Sequence, residues 1–211
     1  MKNSKKIKQL VLAAFFVAIE VVLMLTPLGY IPVGPIRATT MHIPVIVAGI
    51  LMGKKYGSWM GFVFGLTSLL INTFTPTPTS FVFTPFISVG GIHGNFFSLV
   101  IVFVPRILLG YLSSVIYQAL KKWLKKDYIS MVIAAALNTL IHTCLVLGGI
   151  YVFFGEAYGQ VLNKSMEAVK AFIIGIISAN GVMEMILAAI VVPILVKALK
   201  PTVERMGVHG K

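Results

Sequence analysis

The sequence predicts an all-α membrane protein: a bundle of six transmembrane helices forming a single domain over residues 1–211. Three observations predict it. Hydrophobic residues make up 58% of the chain and charged residues only 11%, against roughly 25% charged in a soluble domain. The apolar runs are long and do not alternate, and inside a bilayer only helices and closed barrels satisfy their own backbone groups. The basic residues stand between the apolar runs rather than on one face of a soluble fold.

The first helix, residues 7–28, stops at Thr26, Pro27 and Gly29. Its basic N-terminus has the outline of a secretion signal. The chain then continues through Glu20 and more apolar residues rather than a small-residue cleavage site, so a retained helix is expected. Residues 30–41 hold Pro32, Gly34 and Pro35 and are expected to be irregular. A second helix begins near His42, with Pro44 in its first turn, where a missing N–H costs nothing. It ends by Gly53, too short for a core of ~30 Å, so it is expected to tilt or to start below the outer surface. Lys54 and Lys55 separate it from the third helix, 57–74. Residues 75–94 carry no charge but Pro76, Pro78, Phe81, Phe83, Pro85 and Phe86. A structureless loop of that length is unusual and often functional. The fourth helix covers 95–123 and the fifth 128–154; a polar stretch, 155–165, leads to the sixth, 169–199.

Charge orients the bundle. With the N-terminus in the cytoplasm, fourteen of the 18 basic residues fall on that side: Lys2, Lys5, Lys6, Lys8, Lys54, Lys55, Lys121, Lys122, Lys125, Lys126, Lys197, Lys200, Arg205 and Lys211. Arg37, Lys164 and Lys170 remain outside, and Arg106 lies within a span. This matches the positive-inside rule, with both termini cytoplasmic. It also accounts for the net charge of +12 without nucleic acid as a partner. The two unusual loops then face outward.

Several chemistries are absent. Gly49, Gly53 and Lys54 have the wrong spacing for a phosphate-binding loop, and Lys55 occupies its Ser/Thr place. There is no HExxH, no paired carboxylates and no GxSxG. Cys144 is alone in an apolar run. No catalytic residue, metal site or cofactor is expected.

Polar groups inside a bilayer are costly and each needs a reason. Glu20 sits in the first span, Asn72 closes the third, Arg106 is in the fourth, and Glu184 is in the sixth. Asn138 and His142 share an i,i+4 face of the fifth helix, beside Thr139; Asn180 and Glu184 share one on the sixth. Two readings stand side by side. These groups pair across helices as structural contacts, Arg106 with Glu184 or Glu20 and His142 as a satisfied interior histidine. Alternatively they line a solute pocket between helices four, five and six, under the outer loops. Arg37, Thr39 and Thr40 then reach in from the rim. Gly57, Gly61 and Gly65 recur every fourth residue and, like Ala134, Ala135 and Ala136, suit close helix packing.

Six spans, a basic N-terminus, AxxxA at Ala14 and Ala18 and an outer loop after the first helix resemble the S component of an energy-coupling factor (ECF) vitamin transporter. The run Pro105-Arg106-Ile107-Leu108-Leu109-Gly110, ending in Leu120-Lys121-Lys122, is similar to the fourth helix of such components. So are Asn138-Thr139 in the fifth and Asn180-Gly181 with Glu184 in the sixth. The resemblance implies a membrane-embedded subunit that binds a vitamin from outside. It implies docking on a transmembrane coupling protein that carries two cytoplasmic ATPases, with Ala14 and Ala18 in the docking surface. Energy would then come from partners, as the missing phosphate loop requires.

The segment Ala38-Thr39-Thr40-Met41-His42-Ile43-Pro44 and the Asn138-Thr139 helix look most like pantothenate-type components. Pantothenate carries one carboxylate, one amide and two hydroxyls. A bidentate Arg106 suits the carboxylate, and Asn138, Asn180 and Asn72 suit the rest. Glu184 argues instead for a cationic pyrimidine or thiamin, and riboflavin-type and hydroxymethylpyrimidine-type components stay open. A self-sufficient secondary carrier or an intramembrane enzyme is the alternative class. A carrier usually shows two related halves, and none is visible.

Overall fold

The computed structural model describes residues 2–33 and 36–207 and, within these, the side chains of all but 2–5 and 32–38. The expected rim contact of Arg37, and the terminal Lys2, Lys5 and Lys211, lie outside the described side chains.

Helix dominates. In chain order there are α1 (Lys2–Leu25), β1 (Tyr30–Val33), β2 (Ile36–Thr39), α2 (His42–Met52) and α3 (Lys54–Phe74). A 3-10 turn (Ser80–Val82), β3 (Ser88–Val89) and β4 (Ile92–His93) lead to α4 (Phe96–Leu124) and α5 (Asp127–Leu162). The last span is α6 (Met166–Ile176), a π-turn (Ile177–Gly181) and α7 (Val182–Arg205), running as one 40-residue helical rod. Five helical segments are long and apolar enough to cross a membrane: Lys6–Leu25, Lys54–Phe74, Phe96–Leu124, Asp127–Leu162 and Met166–Arg205. The chain is a multi-pass helical membrane protein.

The short α2 is the sixth helix. Each of its 11 residues is buried, as an all-round apolar helix demands. It lies inside the bundle against α3, α4, α7 and α1. Gly53 joins it to α3 with φ at 90°, a conformation in which a Cβ would be strained.

The glycines of α3 do what their spacing predicts. A Cβ on Gly57 would strike the carbonyl of Gly110, one on Gly61 that of Arg106, and one on Gly65 the ring of Phe103. The backbones of α3 and α4 therefore touch, the way helices associate where no hydrophobic effect separates them from lipid. Large apolar side chains such as Leu25, Phe74, Val152 and Ile194 stay exposed on the outside, where the bilayer covers them.

Three expectations need correction. Residues 30–41 are not irregular: β1 and β2 pair antiparallel, with Tyr30 opposite Thr39 and Val33 opposite Ile36. Pro32 is tolerated because a two-stranded ribbon leaves backbone edges free. Residues 75–94 are not structureless: the 3-10 turn and the β3–β4 hairpin, turned by Gly90 and Gly91 at positive φ, give them form. Residues 155–162 are helical, carrying α5 two turns further than its charges suggest. There the glycines again allow contact: Gly155 faces Met166, and Gly159 faces Lys164 and Val169. At the start of α4, Asn95 and Ser98 form a capping box, and the Ser98 hydroxyl also donates to the Phe81 carbonyl at 2.8 Å. That bond ties the loop 75–94 to the start of α4.

Candidate functional site

Two buried apolar clusters fill the bundle, one around α2 and one beneath the loop 75–94. A cavity lies where they meet. It offers ≈ 100 Å³ for the centres of water-sized molecules. Its walls come from the hairpin (Tyr30, Thr39), α3 (Phe64, Ser68, Asn72), the loop 75–94 (Thr77, Thr79, Phe83) and α4 (Arg106). His142, Thr143, Val146, Leu147, Ile150 and Tyr158 of α5, and Ile176, Asn180, Gly181 and Glu184 of the last span, complete it. The lining is mostly apolar by area, yet polar side chains converge on it from every wall, a combination that suits a small-molecule site.

Arg106 is its one cationic wall residue among those described, and it is 5% exposed. Its position has a local cause. Pro105 sits inside α4 and has no N–H, so the carbonyl of Ile101 loses the donor that position i+4 would supply. The Arg106 guanidinium fills the gap: Nη1 donates to the Ile101 carbonyl at 2.5 Å. The rest of the group lies near two rings, 5.5 Å from the centroid of Phe64 and 5.3 Å from that of Phe83, at the range of cation–π attraction. Its Nε has no hydrogen-bond partner among the described residues.

The ion pair of Arg106 with Glu184 or Glu20, one of the two readings, is not formed among the described residues. Among the described residues both ion pairs involve Asp127, which binds Lys121 at 3.0 Å and Lys200 at 2.6 Å near the ends of α4 and α7. Glu20 is fully buried and its carboxylate oxygens have no hydrogen-bond partner among the described residues. It does not line the cavity. Glu184 does, but its Oε1 is engaged: it accepts a 2.7 Å hydrogen bond from the backbone N–H of Thr39. That bond joins the end of the hairpin to the last span. Arg106 is thus a buried cation with no acid at ion-pair distance among the described residues, although Glu184 shares the cavity wall with it, and a buried cation left without a close partner is costly.

The sequence-predicted residues divide clearly. Asn72, Thr39, Arg106, His142, Asn180 and Glu184 meet in one cavity. His142 brings an imidazole whose two nitrogens find no partner among the described residues. Asn72 donates to the Ser68 carbonyl at 2.8 Å and accepts from the Ser80 hydroxyl at 2.7 Å, so it also braces the loop 75–94. Asn138 is a correction. It is absent from the cavity wall, fully buried, and its Nδ2 donates to the Leu109 carbonyl at 2.8 Å. The shared face with His142 is real, but four residues are about 6 Å of helix rise, enough to put Asn138 beyond the cavity.

Sequence reasoning missed Tyr30, Phe64, Ser68, Thr77, Thr79, Phe83, Thr143 and Tyr158. One signal was available: Phe64, Ser68 and Asn72 recur every fourth residue on α3 and share a face. Tyr30 shares a 3.1 Å hydrogen bond with the Thr67 hydroxyl, which seats the hairpin on α3. Ala14 and Ala18 lie on the exposed side of α1, opposite the buried Leu12, Ala13, Phe16 and Glu20.

Comparison with known proteins places this architecture. Residues 8–196 match the family model described as ECF transporter, substrate-specific component. The chain is 36% identical over 202 residues to the pantothenic acid transporter PanT of Lactococcus lactis subsp. cremoris, covering 94% of this chain and 96% of that one. It is 30% identical over 222 residues to the pantothenate transporter PanT of Leuconostoc mesenteroides subsp. mesenteroides, covering 99% and 100%. With a family match over most of its length and a membrane bundle enclosing a small-molecule cavity, the chain belongs to the substrate-specific components of ECF transporters.

Proposed function

We propose that this S component binds pantothenate and delivers it, through an ATP-driven ECF module, into the cell. The observation that carries the reading is Arg106, a buried guanidinium in a cavity wall with no acid paired to it among the described residues. A monoanionic carboxylate supplies the missing charge, and a planar fork pairs with it through two parallel hydrogen bonds. Asn72, Asn180, Thr39 and His142 are within the same wall for the amide and the two hydroxyls. Val146, Leu147, Ile150 and Ile176 give the geminal methyl groups an apolar surface. The names of the two relatives support the same vitamin.

The rest of the reading comes from the sequence. The whole chain acts as one six-helix unit with both termini in the cytoplasm, supported by the fourteen basic residues on that side. It binds its vitamin without converting it; the chain has no phosphate loop, so ATP is hydrolysed by two partner ATPases. The exposed face of Ala14 and Ala18 docks the transmembrane coupling protein, small side chains allowing close helix approach.

The test is vitamin content of the purified, detergent-solubilised protein by mass spectrometry after denaturation, then calorimetric titration with pantothenate. Stoichiometric binding, lost in Arg106→Ala, is expected. A different vitamin in the protein would overturn the substrate but keep the importer. Chemical conversion of a bound compound would overturn the binding-subunit reading.

A further inference from the structure

We propose that Pro105 is a positioning residue for substrate binding: by withholding one backbone N–H, it makes the Ile101 carbonyl the acceptor that aims Arg106 into the cavity. The proposal rests on Arg106 as the carboxylate ligand. It assigns a role to a side chain that itself lies outside the cavity wall.

In an α-helix the carbonyl of residue i accepts from the N–H of residue i+4. For Ile101 that residue is Pro105, which has no N–H. Ile101 is 2% exposed, so no solvent replaces the missing donor, and a buried carbonyl left unpaired is costly. The donor it finds is the Arg106 Nη1, five residues along, at 2.5 Å. The bond holds one corner of the guanidinium close to the helix. The Phe64 and Phe83 rings, at 5.5 and 5.3 Å, flank the group, and the remaining N–H groups are left for a ligand. An arginine has many rotamers, and freezing one of them before the ligand arrives removes that ordering cost from binding. Proline inside a helix is normally a loss of stability; here the broken backbone bond is where the binding residue is fixed.

The experiment uses the full chain in detergent and four proteins: wild type, Pro105→Ala, Arg106→Ala and the double variant. Thermal unfolding is measured without ligand, then pantothenate affinity by calorimetry. Pro105→Ala restores an N–H to the Ile101 carbonyl and releases the guanidinium. It is expected to unfold no lower than wild type yet bind pantothenate about tenfold more weakly, the worth of one charge-assisted hydrogen bond. Arg106→Ala is expected to lower the unfolding temperature by about 2–4 °C more in the wild-type background than in Pro105→Ala. Independent effects on unfolding, or wild-type affinity in Pro105→Ala, would overturn the proposal. Should Pro105→Ala fail to fold, Pro105→Ser restores the same N–H and takes its place in the cycle. If the wild type binds no pantothenate, the substrate reading fails while the ligand-free cycle still decides whether Pro105 and Arg106 are coupled.

Discussion

Gly61 of α3 presses against Arg106 of α4 so closely that a Cβ added to the glycine would overlap the arginine's carbonyl oxygen. Arg106 is therefore set from both sides: its backbone by the packing of α3, its guanidinium by the gap at Pro105. Gly61→Ala should separate the helices, lower stability by about 1–3 kcal/mol and weaken ligand binding with it. Gly148→Ala is the control, since a Cβ there meets nothing within 4 Å. Thermal unfolding of the two variants in detergent, with calorimetry, checks both halves.

Removing Arg106 should be far more damaging to affinity than to folding. Truncating one partner of a buried charge pair costs about 2–5 kcal/mol, so Arg106→Ala should raise the Kd for pantothenate by about a hundredfold or more. Arg106→Lys keeps the charge but not the fork and should fall between. The alcohol analogue of pantothenate, which lacks the carboxylate, should bind wild type and Arg106→Ala alike. Equal losses for acid and alcohol would remove Arg106 from the carboxylate.

Glu184 holds the hairpin through the Thr39 N–H at 2.7 Å, and reach and charge separate in its variants. Glu184→Gln keeps an acceptor at the same distance, whereas Glu184→Asp keeps the charge one methylene short. Amide hydrogen exchange over residues 36–41 should stay slow in the Gln variant and speed up in the Asp and Ala variants. Slow exchange in Asp and fast exchange in Gln would assign Glu184 to charge compensation instead.

Asn138 should behave as a structural residue. Its amide satisfies the Leu109 carbonyl between α5 and α4, away from the cavity wall. Asn138→Ala is expected to cost about 1 kcal/mol of stability with pantothenate affinity within about threefold of wild type, measured on the same two instruments.

The exposed face of α1 gives a prediction on transport rather than binding. Ala14→Arg and Ala18→Arg place a large cation on the exposed face proposed to dock the coupling protein. Vitamin uptake by cells or by proteoliposomes with the ECF module should vanish while the purified subunit binds pantothenate as before. Uptake that survives would move the docking surface elsewhere.

What the sequence determined by itself is the part of the fold that the bilayer writes locally. A residue's cost in hydrocarbon depends mostly on its own chemistry, so five spans, the short α2 and the interior positions of Arg106, Asn180, Glu184 and His142 were legible from composition and spacing. Polar contacts are pairwise and depend on helix rotation and on how near two backbones come. Only the tertiary structure could therefore pair β1 with β2, bring Thr39 to Glu184 across 145 residues, leave Arg106 without a paired acid among the described residues and carry Asn138 past the cavity. The contact between α3 and α4 at Gly57, Gly61 and Gly65 brings one wall of the cavity against another. That distance is decided by side chains the glycines do not have.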